Sequence, residues 1–409
     1  MGKASRARWD GNVRSMAIVA KSHADITEED VQFLRDNYTS TGGLLPNAYA
    51  GGAFYTPTHV ARFITGALCG LSGGSFPPGS RFLEPSAGSG VFIEHLPPDS
   101  EITALELDET SAKVTSLIYP QANVTQGDAF LHSRRDYYDY VIGNPPYGVS
   151  IDVAADALPD AFETLRITKG RAKGKSESAF IELATKAVKP GGYIAFVLPK
   201  GIGYGTQSAK IRDIMRETCW HIASIELPGE TFALTGTTIK TDIHILRKVT
   251  PNARKVFVKY VEVAGVYHRA EQAEESTADT FWYEGQMPVL QAQVNDIGYD
   301  KDGKSTDKWG DGLTQLDELA EAFDDDIMRA NTNPVTPELG ANIHAFNVKI
   351  TPYEAWRAKS GYMAYWNVLT LGRGEDINGV SSFDFAWQDR IVDDYYGQTA
   401  EMPEYPIAA

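Results

Sequence analysis

The residues with the clearest chemical potential are Asn144, Pro145, Pro146 and Tyr147, set in the run Ile142-Gly143-Asn144-Pro145-Pro146-Tyr147-Gly148. Two consecutive prolines cannot extend a strand ladder or begin a helix interior, so they fix a rigid extended loop. An amide side chain, a fixed carbonyl and an aromatic ring in that order make a tool for a planar nitrogen-bearing group. Earlier in the chain, Glu84-Pro85-Ser86-Ala87-Gly88-Ser89-Gly90 precedes an apolar start, Val91-Phe92-Ile93. Glycines there allow a tight turn and let a ligand approach the backbone without a Cβ in the way. The apolar start predicts a helix whose free N–H groups face that ligand. By itself such a turn is common to many nucleotide folds. Glu106 ends the next apolar run, about where those folds hydrogen-bond a ribose, although a plain strand-end charge would look the same.

These groups need a sheet to hold them. From residue 80 onward, strand-length apolar runs alternate with helical segments, the pattern of a parallel sheet with crossover helices. Candidate strands are 81–84, 102–106, 139–142, 193–198, 222–227 and 241–246. Residues 177–188 read as a helix stopped by Lys189-Pro190-Gly191-Gly192. Upstream, 26–38 reads as a helix capped by Thr27, and 57–71 as one opened by Thr56 at the cap and Pro57 at the first position. The fold class is therefore α/β. Both motif loops belong at the C-terminal edge of the sheet, where open α/β sheets bind ligands.

Taken together, the Glu84–Gly90 and Asn144–Tyr147 motifs resemble the S-adenosylmethionine-dependent amino-methyltransferases, marked by an (Asp/Glu)-Pro-x-x-Gly-x-Gly turn and Asn-Pro-Pro-(Tyr/Phe). Phe54-Tyr55-Thr56-Pro57 upstream narrows the resemblance to adenine-N6 DNA methyltransferases of gamma-type motif order and to the modification subunits of type I restriction systems. Gly192–Pro199, Leu227–Phe232, Gly236-Thr237 and Thr241-Asp242-Ile243 resemble the later blocks of that branch. Thr27–Leu45 and the ending at Lys248 are also similar to methylases of phages and mobile elements that are often fused to helicases. The resemblance covers roughly residues 25–249.

What the resemblance implies is specific. The fold would be a Rossmann-like class I methyltransferase sheet, and the cofactor S-adenosyl-L-methionine. Cofactor contacts fall on Tyr55, Thr56 and Pro57, on Glu84, Ala87, Gly88, Ser89 and Gly90, and on Glu106, Asp128 and Phe130. Glu106 would take the ribose hydroxyls, Asp128 the cofactor's adenine amino group, and Phe130 would stack on that ring. The substrate would be an adenine flipped out of double-stranded DNA, since its amine is unreachable inside the duplex. That amine is a poor nucleophile because its lone pair is delocalised. Asn144 and the Pro145 carbonyl would accept its two N–H bonds and favour an sp3-like nitrogen, while Tyr147 stacks on the base. No strong general base is needed; alignment and electrostatics carry the rate.

A basic cluster, Arg166, Lys169, Arg171, Lys173 and Lys175, reads as a mobile loop beside this edge that contacts DNA phosphate. The rest of the composition mainly excludes. Cys69 and Cys219 cannot build a disulfide scaffold or a cysteine zinc site, and neither follows a proline as a cytosine-C5 nucleophile would. The stretch from Asp300 fails as a calcium loop because Lys304 and Asp311 stand at ligand positions five and twelve. No apolar run reaches membrane-spanning length and no secretory signal opens the chain, so the expected location is the cytoplasm.

The net charge of -16 is concentrated at the back: residues 250–409 hold 13 basic and 27 acidic side chains and 5 of the 7 tryptophans. Val249-Thr250-Pro251-Asn252 reads as a junction. It separates a catalytic domain, 51–249, preceded by a helical N-terminal segment, 1–50, from an accessory or target-recognition region, 250–409. In that last region only one helix, 314–330, is expected. Its acidity suits a partner surface better than a DNA grip, so a specificity or restriction/helicase subunit is an expected partner. Two alternatives stay open. One is methylation of RNA or a protein glutamine; the other is an anti-restriction factor working through protein partners.

Overall fold

The computed structural model describes residues 13–38, 56–202, 208–235, 239–248, 292–300, 304–306, 312–317, 319–320 and 323, and the strand backbones at 259–263, 266–270, 288–291, 349–352 and 405–406. Phe54, Tyr55 and the Gly236-Thr237 block lie outside the described residues, as does most of the expected helix over 314–330.

The strands, in chain order, are β1 (Arg81–Glu84), β2 (Glu101–Glu106), β3 (Asn123–Gln126), β4 (Tyr138–Gly143), β5 (Ser150–Ala154), β6 (Arg166–Thr168), β7 (Arg171–Lys175), β8 (Val188–Pro199), β9 (Cys219–Glu226), β10 (Thr241–Lys248), β11 (Lys259–Val263), β12 (Val266–Ala270), β13 (Pro288–Gln293), β14 (Lys349–Pro352) and β15 (Tyr405–Pro406). The helices used below are α1 (Glu28–Asn37), α2 (Thr58–Leu71), α3 (Glu109–Ile118), α4 (Ser176–Ala187) and α5 (Ala209–Thr218). Nine strands form one mixed sheet in the order β14-β13-β9-β10-β8-β4-β1-β2-β3. β1 pairs parallel with both β2 and β4, β4 pairs parallel with β8, and β10 runs antiparallel between β8 and β9. This is the expected Rossmann-like α/β sheet. Strand order reverses between β1 and β4, which opens a crevice at the C-terminal ends of those two strands.

Each face of the sheet is covered. α2 buries Val60, Phe63, Ile64, Ala67, Leu68 and Leu71, at the three-and-four spacing of one helical face, against Phe82, Ile102 and Tyr140. On the other face α4 and α5 bury Phe180, Ile181, Leu183, Ala184, Ile211 and Met215 with Val141, Ile194 and Leu198. α1 is fixed by a full capping box: the Thr27 hydroxyl accepts from the Asp30 N–H at 3.2 Å, and Asp30 accepts from the Thr27 N–H at 3.0 Å. Among the described residues no helix is long and apolar enough to cross a membrane.

The structure corrects several expectations. The glycine turn leads only into a 3-10 turn, Ile93–His95, because Leu96-Pro97-Pro98 follows and a residue before proline is pushed out of helical geometry. Lys189–Gly192 does not sit outside β8 but inside it. Gly191 takes φ +80°, and the pairing register with β4 shifts between Tyr138 and Tyr140, so the stop signal is a bulge. β3 escapes the apolar pattern because it is the sheet edge and its four residues are exposed or half-buried.

The expected domain boundaries do not divide the core. Ile18, Leu34 and Tyr38 from the N-terminal segment share one apolar cluster with Phe82, and so do Ala292, Val294, Ile297, Leu316, Leu319 and Phe323 from beyond residue 249. β13 joins the main sheet parallel to β9. Phe63 of α2 meets Phe323 edge-on, with ring centroids 5.8 Å apart. Arg62 makes a two-pronged contact with Asp317, Nε to Oδ1 at 2.9 Å and Nη2 to Oδ2 at 2.8 Å.

Candidate functional site

The crevice at the ends of β1 and β4 brings the Glu84–Gly90 and Asn144–Tyr147 loops onto neighbouring strands. At the end of β1 the glycine loop turns back on itself, with the Gly90 N–H donating to the Ala87 carbonyl at 2.7 Å and the Ala87 N–H to the Leu105 carbonyl at 2.9 Å. Gly88 and Gly90 adopt φ +55° and +75°, conformations that favour glycine. Their reasons differ from the expectation at one position. A methyl group at Gly90 would lie 2.7 Å from Tyr119 and 2.8 Å from Thr115, so the absence of a side chain there admits α3 and its following tyrosine. The Thr115 hydroxyl also donates to the Gly88 carbonyl at 2.7 Å, which ties the loop to α3.

Two carboxylates face each other below the loop. Glu106, at the end of β2, accepts from the Gly88 N–H at 2.7 Å and from the Asp108 N–H at 2.9 Å, so it sets the loop's shape directly. Glu84, at the end of β1, is 2% exposed, and its Oε2 has no hydrogen-bond partner among the described residues. Burial, and after it the neighbouring Glu106, pushes the Glu84 carboxyl well above the usual carboxylate range. Glu106 is raised by burial against the opposing pull of those backbone N–H groups. An unpartnered buried acceptor beside a second acid is a costly arrangement for a free chain and a fitting one for a bound cation.

Asp128 and Phe130 part company. Asp128 caps the short turn Ala129–Leu131 by accepting from the Phe130 N–H at 2.9 Å and stays half-buried at the C-terminal end of β3. The Phe130 ring is 2% exposed and packs on Phe180 and Phe162, with centroids 4.9 and 5.7 Å away. It belongs to the core, so the expected stacking on a bound ring is not available to it. The exposed apolar side chain beside Glu106 is instead Leu107, 51% exposed. A lone leucine after a strand acid carries no sequence signal of its own. Thr56 is buried and the cap of α2 falls on Pro57, one residue later than the expected Thr56, while Tyr55 lies outside the described residues.

The Asn144–Tyr147 loop leaves β4 next to the glycine loop. A methyl placed on Gly143 would stand 3.8 Å from both Pro85 Cδ and Ser86 Oγ. The loop is braced by α4: the Ser176 hydroxyl donates to the Pro146 carbonyl at 2.6 Å, and the Gly148 N–H to Glu177 at 3.1 Å. Asn144 is half-buried. Tyr147 is 5% exposed, and its hydroxyl reaches the Val197 carbonyl at 3.0 Å and the Asn144 Oδ1. The ring therefore lies inward and would have to turn to stack on a base; in this conformation it supports Asn144 instead. Burial raises the Tyr147 phenol well above its ordinary range, so the hydroxyl stays protonated and able to donate.

The basic cluster is not a loose loop. β5, β7 and β6 form their own three-stranded antiparallel sheet, with a tight turn at Lys169 and Gly170, φ +51° and +73°. Positive φ at both central positions is the hairpin turn whose twist matches its strands. Arg166, Lys169, Arg171, Lys173 and Lys175 are all exposed on it.

Comparison with known proteins agrees with this geometry. Residues 37–280 match the family described as N-6 DNA Methylase. The chain is 29% identical over 252 residues to the defense against restriction protein B of Escherichia phage P1, covering 59% of this chain and 10% of that protein. It is 30% identical over 169 residues to modification methylase CviBIII of Paramecium bursaria Chlorella virus NC1A, covering 40% of this chain and 42% of that one. Among solved structures, one from a study of complex assembly in the type I R-M system covers 91% of this chain and 71% of its own, at TM-score 0.52 and 14% identity. Such distant likeness speaks for the fold. The chain spans less than half the length of these two curated relatives.

Proposed function

Because the chain belongs to the N-6 DNA methylase family, we propose that it transfers a methyl group from S-adenosyl-L-methionine to the N6 amino group of an adenine extruded from DNA. The observation that carries this reading is the meeting of two loops across one crevice. Buried Glu84 ends β1, half-buried Glu106 ends the adjacent β2, and Asn144 follows β4, which pairs with β1 on its other side. When bound, the cofactor supplies an electrophilic methyl carried on a sulfonium.

The chain's residues fit that group. The unpartnered Glu84 Oε2 is an acceptor waiting for a positively charged amine, and each Glu106 oxygen keeps a lone pair beyond its backbone contact for ribose hydroxyls. Asp128 holds a free carboxylate edge for an exocyclic amine, and Leu107 takes over the contact with a planar ring that Phe130 cannot make. On the substrate side, the Asn144 amide oxygen and the Pro145 carbonyl accept from the adenine NH2 and turn its lone pair toward the reacting carbon. The rigidity given by Pro145 and Pro146, and by the Ser176 and Glu177 braces, holds these acceptors before the base arrives. A DNA-specificity or restriction/helicase partner is part of the same proposal, as is an accessory or target-recognition role for residues 250–409.

The test is methyl transfer from labelled cofactor to duplex DNA, to structural RNA and to a protein extract in parallel. Label appearing as N6-methyladenine in DNA is the expected result. Label confined to RNA or to a glutamine amide would overturn the substrate, and no cofactor binding by calorimetry would overturn the reading as a whole.

A further inference from the structure

The small sheet of β5, β7 and β6 segregates its charges in a way the linear order conceals. Cross-strand partners place Val153, Ala172 and Ile167 in one row and Ile151 opposite Gly174. Along β5 and β7 that face is turned inward: Ala172 is fully buried, and Ile151 and Val153 pack on the apolar core, while Ile167 on the outer strand β6 is 64% exposed. By strand alternation the opposite face carries Asp152, Lys173 and Arg166 in one row, Arg171 and Thr168 in the next, and Lys175 beside Ser150. Four cations and one acid therefore share one exposed surface.

Asp152 engages two of them, Arg171 at 2.6 Å and Lys173 at 2.8 Å. Arg166 and Lys175 have no ion pair among the described residues. The root of this sheet is the catalytic loop itself. Lys175 is followed by Ser176, whose N–H donates to the Val149 carbonyl at 3.0 Å and whose hydroxyl binds the Pro146 carbonyl. On β7, Arg171, Lys173 and Lys175 succeed one another at roughly 6.7 Å, two strand residues apart, a spacing near that of successive phosphates along one nucleic-acid strand.

We propose that this face is a phosphate-gripping surface that holds the backbone of duplex DNA beside the extruded base, and that Asp152 limits its strength. The inference rests on the methyltransferase reading and assigns that site its substrate grip. The occupant is argued from charge: three net positive charges on one face of a chain whose total is -16. A polyanion whose bound counterions are released on contact suits such a patch.

The experiment uses the full chain, a mixed-sequence DNA duplex and a salt titration, with cofactor affinity and labelled methyl transfer measured alongside. Arg166→Gln with Lys175→Gln should weaken duplex binding and reduce the log–log salt slope by about 2, near 0.9 for each lost phosphate contact. Asp152→Asn should act in the opposite sense, tightening binding and steepening the slope by freeing Arg171 and Lys173; a misfolded chain would not bind more tightly. Ile167→Ser, on the other face, should leave the slope unchanged. Unaltered slopes in the first two variants, or an equal loss in Ile167→Ser, would overturn the proposal. So would tighter binding to an RNA duplex that is lost in the Arg166 and Lys175 variant. Absence of methyl transfer to DNA by the unmutated chain would instead strike the underlying reading, so the two failures are distinguishable.

Discussion

At the scale of single residues, Glu84 is the most informative side chain. Its folded carboxyl titrates above the ordinary value of 4.5, so the folded chain holds a proton that the unfolded chain releases. The stability linked to that proton is complete below the unfolded value and is lost as pH rises through the folded one. At neutral pH Glu84 is thus a burden on the ligand-free chain and, in the proposed function, the counter-charge to the cofactor's amine. Glu84→Gln should raise the thermal midpoint of the ligand-free chain at neutral pH and weaken cofactor binding. Calorimetry together with a melting curve checks both, and a variant that lost stability or bound as before would remove Glu84 from the site. Asn144→Ala should behave differently. It should fold and bind cofactor yet transfer no methyl group, since it deletes one of two acceptors that orient the amine; full single-turnover activity in this variant would sink the mechanism.

At the scale of elements, the glycine loop is shaped from behind by α3 and from below by Glu106. Gly90→Ala forces a side chain into φ +75° and against Tyr119 and Thr115. The conformation alone costs about 1–2 kcal/mol, and the clash adds to it. Urea unfolding should register that loss, and Tyr119→Ala in the same chain should restore part of it if packing is the cause. The capping box of α1 offers a smaller test. Thr27→Ala should lower stability by about 1 kcal/mol without touching cofactor affinity.

At the scale of the whole molecule, the described residues between 292 and 323 belong to the main core. Phe323 is fully buried against Phe63, and β13 extends the catalytic sheet. Phe323→Ala should cost about 3–5 kcal/mol in equilibrium unfolding, a large part of an ordinary domain's stability. A chain cut at 249 would expose the surface that Ala292, Val294, Leu316 and Leu319 now cover, and should aggregate or melt lower than the intact protein.

The sequence by itself determined what local chemistry dictates. Paired prolines after an apolar strand, glycines before a turn, an acid closing the next strand and a cap at Thr27 each impose their conformation within a few residues. Fold class and the placement of Glu84, Glu106 and Asn144 at strand ends were therefore legible from residue order. What only the tertiary structure decided depends on residues far apart in the chain. Phe130 is core because Phe162 and Phe180 meet it, Tyr147 lies inward because the Val197 carbonyl receives its hydroxyl, and Gly90 is small because Tyr119 needs the space. The basic run became a one-sided cationic face only once β5 and β6 paired with β7 and alternation sorted its side chains. Likewise β13, beyond the expected junction at 249, joins the main sheet because a sheet's edge accepts a strand in register, whatever its distance along the sequence.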